Sequence, residues 1–198
     1  MPVASRLGLG AVASILLVLI SGPVDAQTTA SPAPTDLIAA LEQFCIASNG
    51  DAAKVAALAD AAGFSPVPQS MAPRIRNVTG AVTFMRTNDT DMTILMAGRM
   101  NRRMDREEVT LDLCGVSVQP TDHRALDQRL RQTMGFSPMR GGGFEAYAWV
   151  QTPTGRSVPE NLSDATFLAM ARTGQMRMVS LDREGRGSTL LYVLPRVD

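Results

Sequence analysis

The apolar residues of this chain change their spacing between Gly63 and Val78, and that change constrains the fold more than any motif does. Before it, Leu37, Leu41 and Phe44 follow one another at intervals of four and three, which sets them on one face of a helix. After it, apolar residues fall mostly at every second position, the period of a strand with one buried face. A chain that opens in helical period, switches to strand period and returns to helix only in short stretches belongs to the α+β class.

The turn and cap residues divide this pattern into elements. Thr35 or Asp36 caps a first helix carrying Leu37, Leu41 and Phe44, with Cys45 beside them, and Asn49-Gly50 ends it. Asp51 opens a second helix with Val55, Leu58 and Ala62 facing inward and Gly63 as its stop. Residues 65–73 form a Pro-containing connection. Residues 78–86 and 92–100 read as strands joined by Thr87-Asn88-Asp89-Thr90, and a third strand leads through Val109, Leu111 and Leu113 to Val118. Thr121 or Asp122 caps a helix over residues 123–134, which Gly135 stops. A loop at 140–143, a strand at 144–151, a helix from Ser163 or Asp164 to Gly174, and a hairpin of 176–182 with 188–194 complete the chain. Hairpin-linked strands of this kind predict a mainly antiparallel sheet with helices gathered on one face.

Residues 1–26 read as a secretory signal peptide. Arg6 supplies the positive region, residues 7–20 the apolar one, and Val24-Asp25-Ala26 a cleavage site with small residues at −3 and −1. The apolar run is about 14 residues, against roughly 20 for a membrane-spanning helix. No later stretch is long and apolar enough to span. Residues 27–34 are rich in Thr, Ser, Pro and Ala and read as a disordered leader; residues 35–198 make one domain. In an oxidising compartment the two cysteines, Cys45 and Cys114, read as one disulfide tying the helical hairpin to the sheet. By chain entropy, a closed loop of about 70 residues contributes roughly 4.4 kcal/mol.

The 19 basic and 19 acidic residues balance, and the signal removes one of each, Arg6 and Asp25. A chain of zero net charge has no long-range pull on nucleic acid or on an anionic membrane. Lys54 is the only lysine, and with the many Ala and Gly residues this resembles the coding bias of a GC-rich bacterial genome.

Several residues invite a chemical reading. Arg99, Arg102, Arg103 and Arg106 form the densest basic cluster, placed in the connection after the second strand, where an anionic ligand or partner could dock. Tyr147 and Trp149 share a strand face and could stack a sugar or peptide. His123 is the only histidine, so a Ser-His-Asp or zinc site would have to use it, but no supporting motif accompanies it. A structure with His123 beside Ser or Asp side chains in a deep pocket would favour catalysis. Glu107-Glu108, Asp112, Asp89 and Asp91 fit no calcium-loop spacing and read as surface charge. Met92, Met96, Met100 and Met104 recur every fourth residue, with Met176 and Met178 behind them. On strands that spacing selects one face, so they read as packing and not as copper(I) ligands. Gly141-Gly142-Gly143 precedes a strand instead of a Lys-Ser/Thr helix and reads as a connection. No metal or cofactor is expected.

The stretch Phe44-Cys45, Gly50-Asp51 and Ala61-Ala62-Gly63-Phe64, with the later strand Leu111 to Cys114, resembles small exported alphaproteobacterial proteins of unassigned function. The resemblance implies export and agrees with the disulfide; it carries over no functional residue. The expected role is that of a periplasmic or secreted binding module, acting without catalysis on a protein, peptide or envelope component. An envelope hydrolase with a dispersed site is the alternative.

Overall fold

Each helix starts at a side-chain oxygen that takes up backbone N–H groups left without intrahelical partners. In the computed structural model, which describes residues 35–68, 78–141 and 144–197, the Asp36 carboxylate accepts from the N–H groups of Ile38 (3.0 Å) and Ala39 (3.4 Å) at the head of α1 (Leu37–Ala40). Asp51 caps α2 (Ala52–Ala61), Asp122 caps α3 (His123–Met134) and Ser163 caps α4 (Asp164–Ala171). The expected signal segment and leader, most of the 65–73 connection and Gly142-Gly143 lie outside the described residues. The first helix changes character after one turn: Leu41–Ile46 winds as a π-helix. Its wider turn keeps Leu41, Phe44 and Cys45 all buried.

The strands are β1 (Ser65–Pro66), β2 (Val78–Thr87), β3 (Met92–Met104), β4 (Glu107–Gln119), β5 (Met139–Gly141), β6 (Phe144–Thr152), β7 (Gly155–Ser157), β8 (Met176–Glu184) and β9 (Gly187–Val197). They join in the order β1-β2-β3-β4-β9-β8-β6-β5, with β7 beside β6, and the neighbours are antiparallel. The last strand of the chain thus lies in the middle of the sheet. β3 and β4 exceed the expectation. Each has 13 residues, in continuous register from Met92↔Gln119 to Met104↔Glu107. What reads in the sequence as a connection carrying the arginines is strand on both sides of a tight turn at Asp105 (φ 46°) and Arg106 (φ 72°). Such dihedrals favour Asn-Gly or Asp-Gly; Asp105 suits the first position, but Arg106 stands where glycine would mark the turn in the sequence.

The helical hairpin and α3 cover one face, against Leu95, Cys114, Val116, Tyr147, Trp149, Leu190 and Tyr192. The Cys45–Cys114 disulfide, with Cα atoms 5.3 Å apart, ties the π-helical segment to β4. α4 departs from the expectation that the helices share one face. It packs on the other, with Phe167, Leu168, Met170 and Ala171 against Val109, Ala146, Ala148, Met176 and Met178. The cause is local composition. The run Ala146-Tyr147-Ala148-Trp149 is buried at every position, so that part of the sheet needs cover on both sides. No helix among the described residues is long and apolar enough to cross a membrane.

Candidate functional site

α4 covers only part of the second face. Beside it lies an apolar groove of about 310 Å³, at the lower end of the size range of small-molecule sites. Alternation along β3 sends Met96, Gly98, Met100 and Met104 to this face. Leu111 and Leu113 of β4, Leu191 and Val193 of β9 and Met178 of β8 continue the floor. Val78, Ala81 and Thr83 of β2 bound it on one side, Leu162 and Phe167 on the other.

Two glycines set its shape. A register shift in β2 between Thr79 and Val82 brings that strand close over Gly98. A Cβ there would lie 2.5 Å from Val78 Cγ1 and 3.2 Å from the Ala81 Cα, so only glycine fits. At Gly115 a Cβ would come within 3.0 Å of Met96 Cγ: the methionine lies across the space that glycine vacates. The charged residues that line the groove are Arg102, Asp164 and Asp182; all three are exposed, and among the described residues none forms an ion pair. Register separates two of them. Arg102 stands opposite Val109, near the β3–β4 turn, and Asp182 opposite Thr189, near the far end of β4.

The sheet disperses the arginine cluster. Arg99 lies on the helix face, where its Nε donates to the buried Asp112 carboxylate at 2.9 Å, and Arg196 holds the other carboxylate oxygen. Arg102 faces the groove, Arg103 pairs in register with Glu108, and Arg106 sits in the turn. These four side chains form no common surface. Tyr147 and Trp149 are both 3% exposed. The Tyr147 ring meets Phe136 edge-on at 5.7 Å, and Arg156 covers Trp149 at 4.9 Å. They present no stacking platform to solvent.

His123 does meet a serine: its Nδ1 lies 3.1 Å from Ser188 Oγ. A nucleophile must be reachable, however, and Ser188 is 0% exposed. The neighbouring Asp122 is committed to capping α3. The adjoining hollow is polar, lined by Thr121, Arg124, Arg183 and Arg186 among others. The pair joins the start of α3 to the start of β9. The acidic residues are likewise engaged. Glu107 binds Arg172, and Asp91 accepts from the Thr35 N–H at 2.7 Å and from Asn88 and Thr93. Asp112 is thus no surface charge: strand pairing places it beneath two arginines. Among the described residues no three His, Cys, Asp or Glu side chains gather as a metal site.

Compared with known protein families, with curated proteins and with solved structures, the chain matches none. The groove residues outside the methionine stripe, above all Leu111, Leu113, Leu191 and Val193, carry no motif. The signal that could have found them is the stripe itself, together with β3 and β4 being apolar on both faces at their centre. That pattern demands cover, and α4 supplies it for only part of the face.

Proposed function

We propose that this chain is an exported, single-domain binding module of a bacterial envelope that takes the apolar part of a ligand into the groove. Residues 1–26 are the signal, residues 27–34 a leader, and the periplasm or the medium is the destination, in keeping with the resemblance to small exported alphaproteobacterial proteins. The observation that carries the reading is the groove: an open, methionine-rich apolar recess with charges only at its rim. Exposed apolar recesses mark binding sites, and methionine adapts to the shape of what it meets. The disulfide suits an oxidising compartment. A serine hydrolase built on His123 would need the Ser188 hydroxyl, which is buried.

The test has two readouts. Cells expressing the full chain are fractionated and the protein's N-terminus is sequenced; Gln27 as first residue in the envelope fraction is expected, and an intact Met1 in the cytosol overturns the export reading. The purified protein is then titrated with the neutral dye N-phenylnaphthylamine. Saturable binding is expected, weakened at least tenfold by Ala81→Trp or Thr83→Trp, which fill the groove from β2. Binding that ignores both substitutions overturns the groove reading.

A further inference from the structure

We infer that the groove takes an amphipathic helix of a partner protein, with the N-terminus of that helix at Asp182 and its C-terminus at Arg102. This rests on the groove being the binding site and adds the kind and direction of its occupant.

The first argument is backbone satisfaction. On the face of a sheet the strand N–H and C=O groups are already committed to neighbours in the plane. An extended peptide laid across the methionines would bury its own polar backbone without partners, whereas a helix satisfies its backbone internally. The second is layering. The helical hairpin and α3 cover one face, but among the described residues α4 is the one helix on the other, and it packs in a cluster centred on β4, β6, β8 and β9 that reaches β3 only at Met104. Among the described residues no helix covers the apolar side chains on the β2–β3–β4 side, and an amphipathic helix is the element that completes such a layer.

The third argument is charge. Val109, opposite Arg102, and Ser117, in register with Thr189 opposite Asp182, stand eight residues apart on β4. That is roughly 26 Å along the strand and, with three strand spacings from β3 to β8 adding roughly 14 Å across the sheet, about 30 Å on the diagonal, the length of a helix of about 20 residues. The helix macrodipole places partial positive charge at its N-terminus and negative charge at its C-terminus, which matches the Asp182 carboxylate at one end and the Arg102 guanidinium at the other. Other occupants use less of this. A fatty acid engages Arg102 and leaves the carboxylate idle; an alkylammonium does the reverse. A second copy brings a concave groove to a concave groove and leaves a void.

The experiment compares two labelled peptides of about 20 residues with one apolar stripe at i, i+3, i+4 and i+7, read by fluorescence anisotropy on the purified protein. The matched peptide has lysines in its first turn and glutamates in its last; the other has these charges exchanged. By the dipole rule the exchanged peptide is the better isolated helix, so a preference for the matched one cannot come from helicity. The matched peptide is expected to bind about fivefold tighter at low salt, with the ratio shrinking as salt rises. The double variant Arg102→Asp with Asp182→Lys should invert the preference, and a central proline in the peptide should abolish binding. Equal affinity for both peptides, a preference the double variant leaves unmoved, or undiminished binding of the proline peptide overturns the inference. If dodecanoate or dodecyltrimethylammonium displaces N-phenylnaphthylamine and neither peptide does, the occupant is an acyl chain: the inference falls and the groove reading stands. Failure of the dye itself to bind removes the groove reading and this inference with it.

Discussion

The same strands build both faces of the sheet, yet one face is closed and the other open. Leu95 and Met96 are neighbours in β3. Leu95 is fully buried under the helical hairpin, while Met96 lies partly exposed in the groove. The closed face is held by directional devices: a disulfide, the Asp112 clamp and the edge-on Phe44–Phe64 pair at 5.3 Å. The open face has thioethers and aliphatic chains without fixed partners. The difference teaches a division of labour in which one face fixes the sheet and the other is left adaptable.

Removing the disulfide should break that comparison most severely. Cys45→Ser with Cys114→Ser frees a loop of 69 residues and is expected to cost up to about 4 kcal/mol, read as a lower urea midpoint. Because the denatured chain without its cross-link is less compact, the slope itself should rise somewhat rather than stay fixed. If the division holds, the protein that remains folded should bind N-phenylnaphthylamine within twofold of the unaltered chain. Loss of dye binding while near-UV circular dichroism stays native would show that the groove depends on the staple.

A smaller loss is expected at Asp112. Its side chain is 6% exposed, whereas those of Arg99 and Arg196 are 58% and 48% exposed. Asp112→Ala leaves two cations that water can still reach, so we expect about 1–2 kcal/mol and not the larger penalty of a stranded buried charge. Gly50, in the turn after the π-helical segment, lies close against the Asp112 backbone. The loss should therefore appear as faster hydrogen exchange in residues 47–51 before any change near the groove. A thermal shift no larger than that of Arg103→Ala would mean that the clamp contributes nothing.

Much of the closed face was legible in the sequence and little of the open one. The caps at Asp36, Asp51, Asp122 and Ser163, the stop at Gly135 and the Cys45–Cys114 pairing follow from short-range chemistry that individual residues announce. The β3–β4 turn at Asp105-Arg106 lacks the glycine that marks such a turn, so the arginines look like a loop cluster in the sequence when pairing splits them between faces. The methionine stripe was correctly assigned to one face. Whether that face is packed or open depends on where α4 lands, a long-range matter decided by Ala146, Ala148 and Met178 and invisible in β3 itself. Tyr147 and Trp149 failed as a platform for a related reason: alternation gives a side chain's direction, not what lies above it.

The open face should also be chemically vulnerable where the closed one is not. Met96, Met100 and Met104 are partly exposed in the groove, whereas Met134, on the helix face, is 8% exposed. Mild peroxide should convert the groove methionines to sulfoxides first, together with the exposed Met85. A polar sulfoxide on an apolar floor should weaken dye binding about tenfold, with the thermal midpoint moving only a few degrees. Peptide mass mapping checks the order, and the same treatment of Met85→Leu isolates the groove. Oxidation of Met134 in step with Met100 would erase the distinction between the faces.

The smallest expected effect is a pH dependence confined to the closed face. Burial raises the Asp91 carboxyl, but the Thr35 N–H and hydroxyl, the Asn88 amide and the Thr93 hydroxyl outweigh it and hold the group below the ordinary 3.8. At Asp36 burial again raises the pKa, and Arg129 with the N–H groups of Ala39 and Ile38 lowers it further than burial raises it. A carboxyl held low in the folded state adds stability that is fully present above 3.8 and lost as the pH falls through the folded value. Burial raises the phenols of Tyr147 and Tyr192 above 10.0, so their contribution is present below that pH and lost as the pH rises through the folded values. Stability should thus decline at both extremes through residues of the helix face and its edge. Asp91→Asn should cost about 1 kcal/mol at neutral pH, flatten the acid decline and leave dye binding at pH 7 unchanged. Urea titrations at pH 3, 4 and 7 decide the matter: an acid decline as steep in Asp91→Asn as in the unaltered chain would place its origin elsewhere, and a parallel loss of dye binding would join the two faces energetically.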